Sequence, residues 1–117
     1  MAHARDDHAK IESEFREAVN MTPAALEKWL ATPESQEVGW KGPDGHGDGE
    51  SIGHKQGGRI VAILRTKKAD LTDADFADMR KVVGYVHRHL AEGGPARDVE
   101  TSRWRYSLMN WGHDPVK

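Results

Sequence analysis

The chain has 117 residues, 37% of them apolar, with 17 Lys and Arg against 19 Asp and Glu and no cysteine. That length suits one domain with one core, and the missing thiols exclude disulfides, thiolate metal sites and cysteine nucleophiles. No run nears the roughly 20 apolar residues of a membrane span, and the start Met1-Ala2-His3-Ala4-Arg5-Asp6-Asp7-His8 lacks the apolar stretch of an export signal, so the expected location is the cytoplasm.

Taken in chain order, Ile11, Phe15, Ala18 and Val19 recur at helical spacing and predict an opening helix from about Asp7 to Asn20, with residues 1–8 a candidate for disorder. Thr22-Pro23 starts a second helix, with Thr22 as N-cap and Pro23 at the first position, where its missing N–H costs nothing. Leu26, Trp29 and Leu30 form its apolar face. Thr32-Pro33-Glu34 repeats the device and opens a short third turn ending near Val38-Gly39. Residues 39–49 are so rich in Gly, Asp and Pro that they predict a loop.

From Ser51 the pattern predicts a helix to about Lys67, capped by Ser51 and with Ile52, Ile60, Ile63 and Leu64 along one side. Gly53 and Gly57 fall on that same side, where they favour close approach of another helix over an anion-binding loop. Leu71-Thr72-Asp73-Ala74-Asp75 is a helix start, with Thr72 capping and two carboxylates in the positively polarised first turn. The long helix that follows carries Phe76, Met79, Val83, Val86 and Leu90 as a core stripe and stops at Gly93-Gly94-Pro95. A last helix runs from about Val99 to Trp111 on Trp104, Leu108 and Trp111. Nothing alternates with period two for long enough to require a sheet. The predicted fold is therefore all-α, a compact single-domain bundle of about five helices spanning residues 1–117, with a glycine-rich loop.

Motif by motif, catalysis finds no support. Asp44-Gly45-His46-Gly47-Asp48-Gly49 starts like a calcium loop, but His46 stands at its third position and Lys55 at its twelfth, where a bidentate Glu is needed. The glycines around Gly49 and Gly53 have the wrong spacing for a phosphate loop or a dinucleotide fingerprint. No serine sits in a Gly-x-Ser-x-Gly elbow. His54, His87, His89 and His113 are candidates for a metal or acid–base site, yet His87 and His89 are two apart on a helix and diverge by about 200°. The expectation is a protein that is not an enzyme and carries no cofactor or metal.

One positive signal remains. Arg80, Lys81, Gly84 and Arg88 share a side of the long helix away from its core stripe, with Gly84 near the middle, so a cationic face with a bare spot is open to a phosphate backbone. Lys55 and Arg59 add to it, and Arg65, Lys67, Lys68, Arg103 and Arg105 can help. Trp104, between Arg103 and Arg105, can stack a base, although its spacing to Leu108 and Trp111 places it in the core. The net charge of −2 argues against a general nucleic-acid binder, but residues 1–50 hold 5 Lys and Arg against 11 Asp and Glu while residues 51–117 hold 12 against 8. Local fields matter more to a ligand than the total.

The segments MTP (21–23) through LEKWL (26–30), SQEVGWK (35–41), GESIGHKQGGRIVAI (49–63), ADLTDADFADMRKVVGYVHRH (69–89) and TSRWRYSLMNWGHDP (101–115) resemble a small microbial family of unknown function. Its members are often labelled DNA-binding proteins. The resemblance covers nearly the whole chain after about residue 8 and brings no established catalytic residues. The family commonly has a basic residue at the position of Gly58, so this chain has one charge fewer beside Arg59.

Sequence and resemblance together predict a DNA-binding protein that grips mainly the phosphate backbone through Lys55, Arg59, Arg80, Lys81, Gly84 and Arg88. The alternative is a non-enzymatic interaction module or homodimer, in which the acidic half of one chain meets the basic half of another.

Overall fold

The computed structural model describes residues 3–38 and 52–116. Among them it holds six helices and no strand: α1 His3–Ala18, α2 Pro23–Leu30, α3 Pro33–Glu37, α4 Ile52–Leu64, α5 Asp73–Glu92 and α6 Arg103–Asn110. The expected 39–49 loop and the Ser51 cap lie outside the described residues. The third turn is a helix in its own right, so the count rises from about five to six.

Local chemistry sets most of the boundaries. The hydroxyl oxygens of Thr22 and Thr32 accept from the amides of Ala25 and Ser35, each followed by proline at the first helical position. At α5 the cap is reciprocal: Thr72 Oγ1 accepts from the Asp75 amide at 3.2 Å while Asp75 Oδ2 accepts from the Thr72 amide at 2.9 Å. The far end of α5 closes where Gly93 takes a φ of 79°, a value that favours glycine.

Three boundaries differ from the sequence reading. Helix α1 begins at His3 rather than near Asp7, so residues 3–8 belong to it; early acidic residues favour the start of a helix. Helix α4 ends at Leu64, ahead of a 3-10 turn over Lys68–Asp70. Helix α6 starts at Arg103, because the Ser102 hydroxyl takes the Arg105 amide at 3.1 Å and Val99–Thr101 closes as a separate 3-10 turn.

The core lies where α1, α4, α5 and α6 meet, around Phe15, Ile60, Met79, Val82, Val86 and Leu108, with Leu26 from α2 closing one side. Helices α1 and α5 form the most extensive helix pair and run in the same direction, with His8 level with Asp73 and Phe76, and Glu14 beside Arg80. Of the expected core stripe of α5, Phe76 is half-buried and Leu90, in the last turn, is exposed, as are residues 91–98.

Helix α4 reaches α2 and α6 at Gly57. A Cβ there would sit 2.6 Å from the Asn110 carbonyl oxygen and 2.6 Å from Leu30 Cδ2, so only glycine fits without movement. Asn110 itself is fully buried. Its Oδ1 accepts from Trp29 Nε1 at 2.7 Å and from the Ser35 hydroxyl, and its Nδ2 donates to the Ser35 carbonyl at 3.1 Å. One side chain thereby joins α2, α3 and α6.

The residues after α6 bind the chain to its other end. His113 Nδ1 donates to the Ala18 carbonyl, Asn20 exchanges two hydrogen bonds with the Asp114 backbone, and Met21 donates to the Gly112 carbonyl. Arg105 grips Asp114 with two hydrogen bonds, 3.1 and 3.0 Å long. Burial pushes the Asp114 carboxyl up, but the Arg105 guanidinium and the Val116 amide outweigh it and hold the pKa below the usual value.

Two stability predictions follow from these contacts. Gly57→Ala is expected to cost about 1–3 kcal/mol by overpacking, whereas Gly58→Ala, with nothing within 4 Å of its Cβ, is expected to be neutral or to stabilise by up to about 1 kcal/mol. Urea unfolding of the two variants checks the contrast. Because Asp114 holds its proton less tightly folded than the roughly 3.9 of a free aspartate, its contribution is complete above that pH and is lost as pH falls through the lower folded value. Asp114→Asn is therefore expected to lower the urea midpoint at pH 7, with the gap to the unmodified protein closing in acid.

Candidate nucleic-acid interface

The outward side of α5 presents Asp73, Ala77, Arg80, Lys81, Gly84, His87, Arg88 and Ala91 within about 120° of helix surface, at 100° per residue. Arg80, Lys81, His87 and Arg88 are all exposed. Among the described residues Arg80, Lys81 and Arg88 form no ion pair and no side-chain hydrogen bond, so their donors are left to solvent or a ligand. The bare spot at Gly84 is filled from within its own helix. A Cβ at that position would lie 3.4 Å from Arg88 Nη1, so the guanidinium folds back over the glycine.

Other expected cations have different fates. Arg59 sits between two carboxylates, with Nη2 2.9 Å from Asp75 and 2.8 Å from Asp78, and Nε donating to Asp78 at 3.0 Å. The hydrogen bonds to Asp78 and then Asp75 raise its pKa further and hold α4 against the start of α5. Its guanidinium is thus paired with two carboxylates, unlike Arg80, Lys81 and Arg88. Lys55, one turn earlier on α4, is exposed and among the described residues makes no ion pair. Arg65 pairs with Glu27, Lys68 with Glu12, and Arg105 with Asp114.

The acidic helix α1 lies beside the cationic side of α5, so charges that are segregated in the sequence are interleaved in space. Lys10 and Glu14 line a groove of about 270 Å³ with Ile11 and Arg80. Through Ile11 and Arg80 it continues into a second groove of about 170 Å³ bounded by His8, Asp73, Phe76 and Ala77. Lys10 is the residue that sequence reasoning missed. It sits in a segment with an acidic balance, and only the packing of α1 along α5 brings it to Arg80.

The four histidines of the sequence reading do not gather. His54 Nε2 donates to the Leu30 carbonyl at 2.7 Å, His113 is committed to Ala18, His89 stacks on Tyr85, and His87 points outward from α5. Among the described residues no three His, Asp or Glu side chains are placed to hold a metal. Trp104 is half-buried, its Nε1 donates to the His89 carbonyl at 2.9 Å, and the backbone at Gly94 lies against its ring. Its ring is thus occupied by packing, the role that its spacing indicated.

No curated protein and no solved structure matches the chain. The model of a family described as a protein of unknown function (DUF3140) matches residues 14–109, a span that takes in the whole of α2 to α5 and nearly all of α6. The chain therefore belongs to this family of unknown function.

Proposed function

We propose that this protein binds DNA through phosphate contacts made by the outward face of α5. The observation that carries the reading is the clustering of unpaired cations on α5; Lys28, Lys67, Arg97 and Arg103 are also exposed and without an ion pair among the described residues, but they are spread over other elements. Arg16, Arg59, Arg65 and Arg105 each have a carboxylate partner, while Arg80, Lys81 and Arg88 stand together, exposed, with none among the described residues. Three free cations on one rigid helix suit an extended polyanion; Lys10 lies beside Arg80, whereas Lys55 sits on α4, whose Arg59 binds Asp75 and Asp78 on another side of α5.

The face carries Ala, Gly, Asp, Arg, Lys and His; arginine and lysine can contact guanine edges as well as phosphates, and their spread along one helix suits them to phosphates. Binding of this type positions a backbone without reading its sequence. Acids border the face as well: Glu14 and Asp73 share grooves with Arg80, and Glu92 follows Arg88 by one turn. The affinity is accordingly modest and depends on low salt. The alternative, a non-enzymatic interaction module or homodimer, is placed second because Glu27–Arg65 and Glu12–Lys68 already pair some of the acids of the first half with cations of the second within one chain.

Three phosphate contacts give a slope of log K against log salt of about −2.7, so affinity is expected to fall about 40-fold between 50 and 200 mM salt. Arg80→Ala with Arg88→Ala is expected to weaken binding of unrelated sequences alike and bring the slope to about −1. Fluorescence anisotropy on labelled DNA of several sequences reads both quantities. Absence of binding at the lowest salt sinks the proposal.

A further inference from the structure

The grooves beside Arg80 differ chemically from one end to the other, and the difference bears on the form of nucleic acid they accept. At one end the His8 imidazole lies flat on Phe76, with ring centroids 3.9 Å apart and planes 4° from parallel, and His8 Nε2 is 3.7 Å from the Asp73 carboxylate. The His8 side chain remains 37% exposed. At the other end are the two cations Lys10 and Arg80. Arg80 belongs to both grooves and follows Phe76 by one turn of α5, about 5.4 Å of rise.

We infer that this seam between α1 and α5 holds one unpaired nucleotide of a single strand, its base stacked on the ring platform of His8 and Phe76 and its phosphate at Arg80 and Lys10. The inference rests on the nucleic-acid reading above and makes it more specific. A base is a flat ring with N–H donors on its edge, which suits an aromatic platform with a carboxylate, Asp73, at the rim. The same carboxylate repels phosphate and so fixes which end of the nucleotide lies where. Glu14, at the cationic end, lowers the net attraction there. In a duplex the bases are stacked on each other and their edges are paired, leaving nothing to offer the platform. Stacking on protein aromatic groups tolerates any base and strengthens single-strand binding substantially. His8 and Lys10 precede the span matched by the family, so this subsite is read from the chain's own residues.

The test compares three labelled DNAs of equal length with the full chain at low salt: a mixed-sequence single strand, the duplex of that sequence, and a single strand of abasic sites. The intact single strand is expected to bind about fivefold or more tightly than the abasic strand, and more tightly than the duplex. His8→Ala is expected to erase the advantage over the abasic strand, His8→Phe to retain it, and Arg80→Ala to weaken all three DNAs. Equal binding of the intact and abasic strands, tighter binding of the duplex, or no effect of His8→Ala overturns the inference while leaving phosphate binding in place. Failure of all three DNAs to bind overturns both.

Discussion

The fold depends on the close approach of three helices around Gly57 and Asn110. With no side chain at Gly57, α4 comes near enough for its backbone to meet the Asn110 carbonyl and the Leu30 side chain. Asn110 in turn serves Trp29 and Ser35, two groups that burial would otherwise leave without partners. A buried polar network stabilises only when each member is satisfied. This one is satisfied by residues 75 to 81 positions apart in the chain, so it forms only when the whole bundle has formed. Once α4 is seated, Arg59 reaches Asp75 and Asp78, fixing how α5 sits and which of its sides faces outward.

Much of this architecture was legible because local chemistry decided it. The Thr-Pro pairs at 22–23 and 32–33, the Thr72 cap and the glycine stop at 93 each act within a few residues, so their effect can be read without the fold. The placement of Gly57 for close packing was also readable, from the side of the helix it shares with Ile60. What could not be read depends on distance in sequence. Asn110 looks like an ordinary polar residue near a helix end, and nothing nearby marks it as a hub. Arg59 looks like a free surface cation until Asp75 and Asp78, sixteen and nineteen residues away, close on it. Lys10 was hidden by its acidic neighbours, and Leu90 continued a core stripe past the point where the core ends.

The string WRYSLMNWGHDP, which carries the most specific part of the family resemblance, is occupied with structure. Its Trp104 and Arg105 bond to the His89 carbonyl and to Asp114, and Tyr106 packs on Trp29. Asn110 holds the helix junction, Trp111 stacks on Tyr85 with centroids 4.2 Å apart, and His113 and Asp114 close on α1 and Asn20. Nearly every polar group of the string is used inside the molecule. The string is thus explained by folding, whereas the clustered unpaired cations lie on α5, within the span that the family matches.

That division constrains how a ligand can be held. With a net charge of −2 and acids bordering the cationic face, any attraction of the protein for a polyanion is confined to that face. Beyond a Debye length of about 8 Å at physiological salt, the field of three cations is screened in any case. On the proposed reading, what keeps a nucleic acid in place acts mainly at contact: hydrogen-bonding guanidinium groups and a ring surface that salt does not screen. A helix face with free arginines beside an exposed aromatic stack supplies both kinds of contact, whereas a uniformly basic surface would supply only the first. On this reading, the sparse charge of the molecule gives the short-range groups at His8, Phe76 and Arg80 the larger share in holding a nucleic acid.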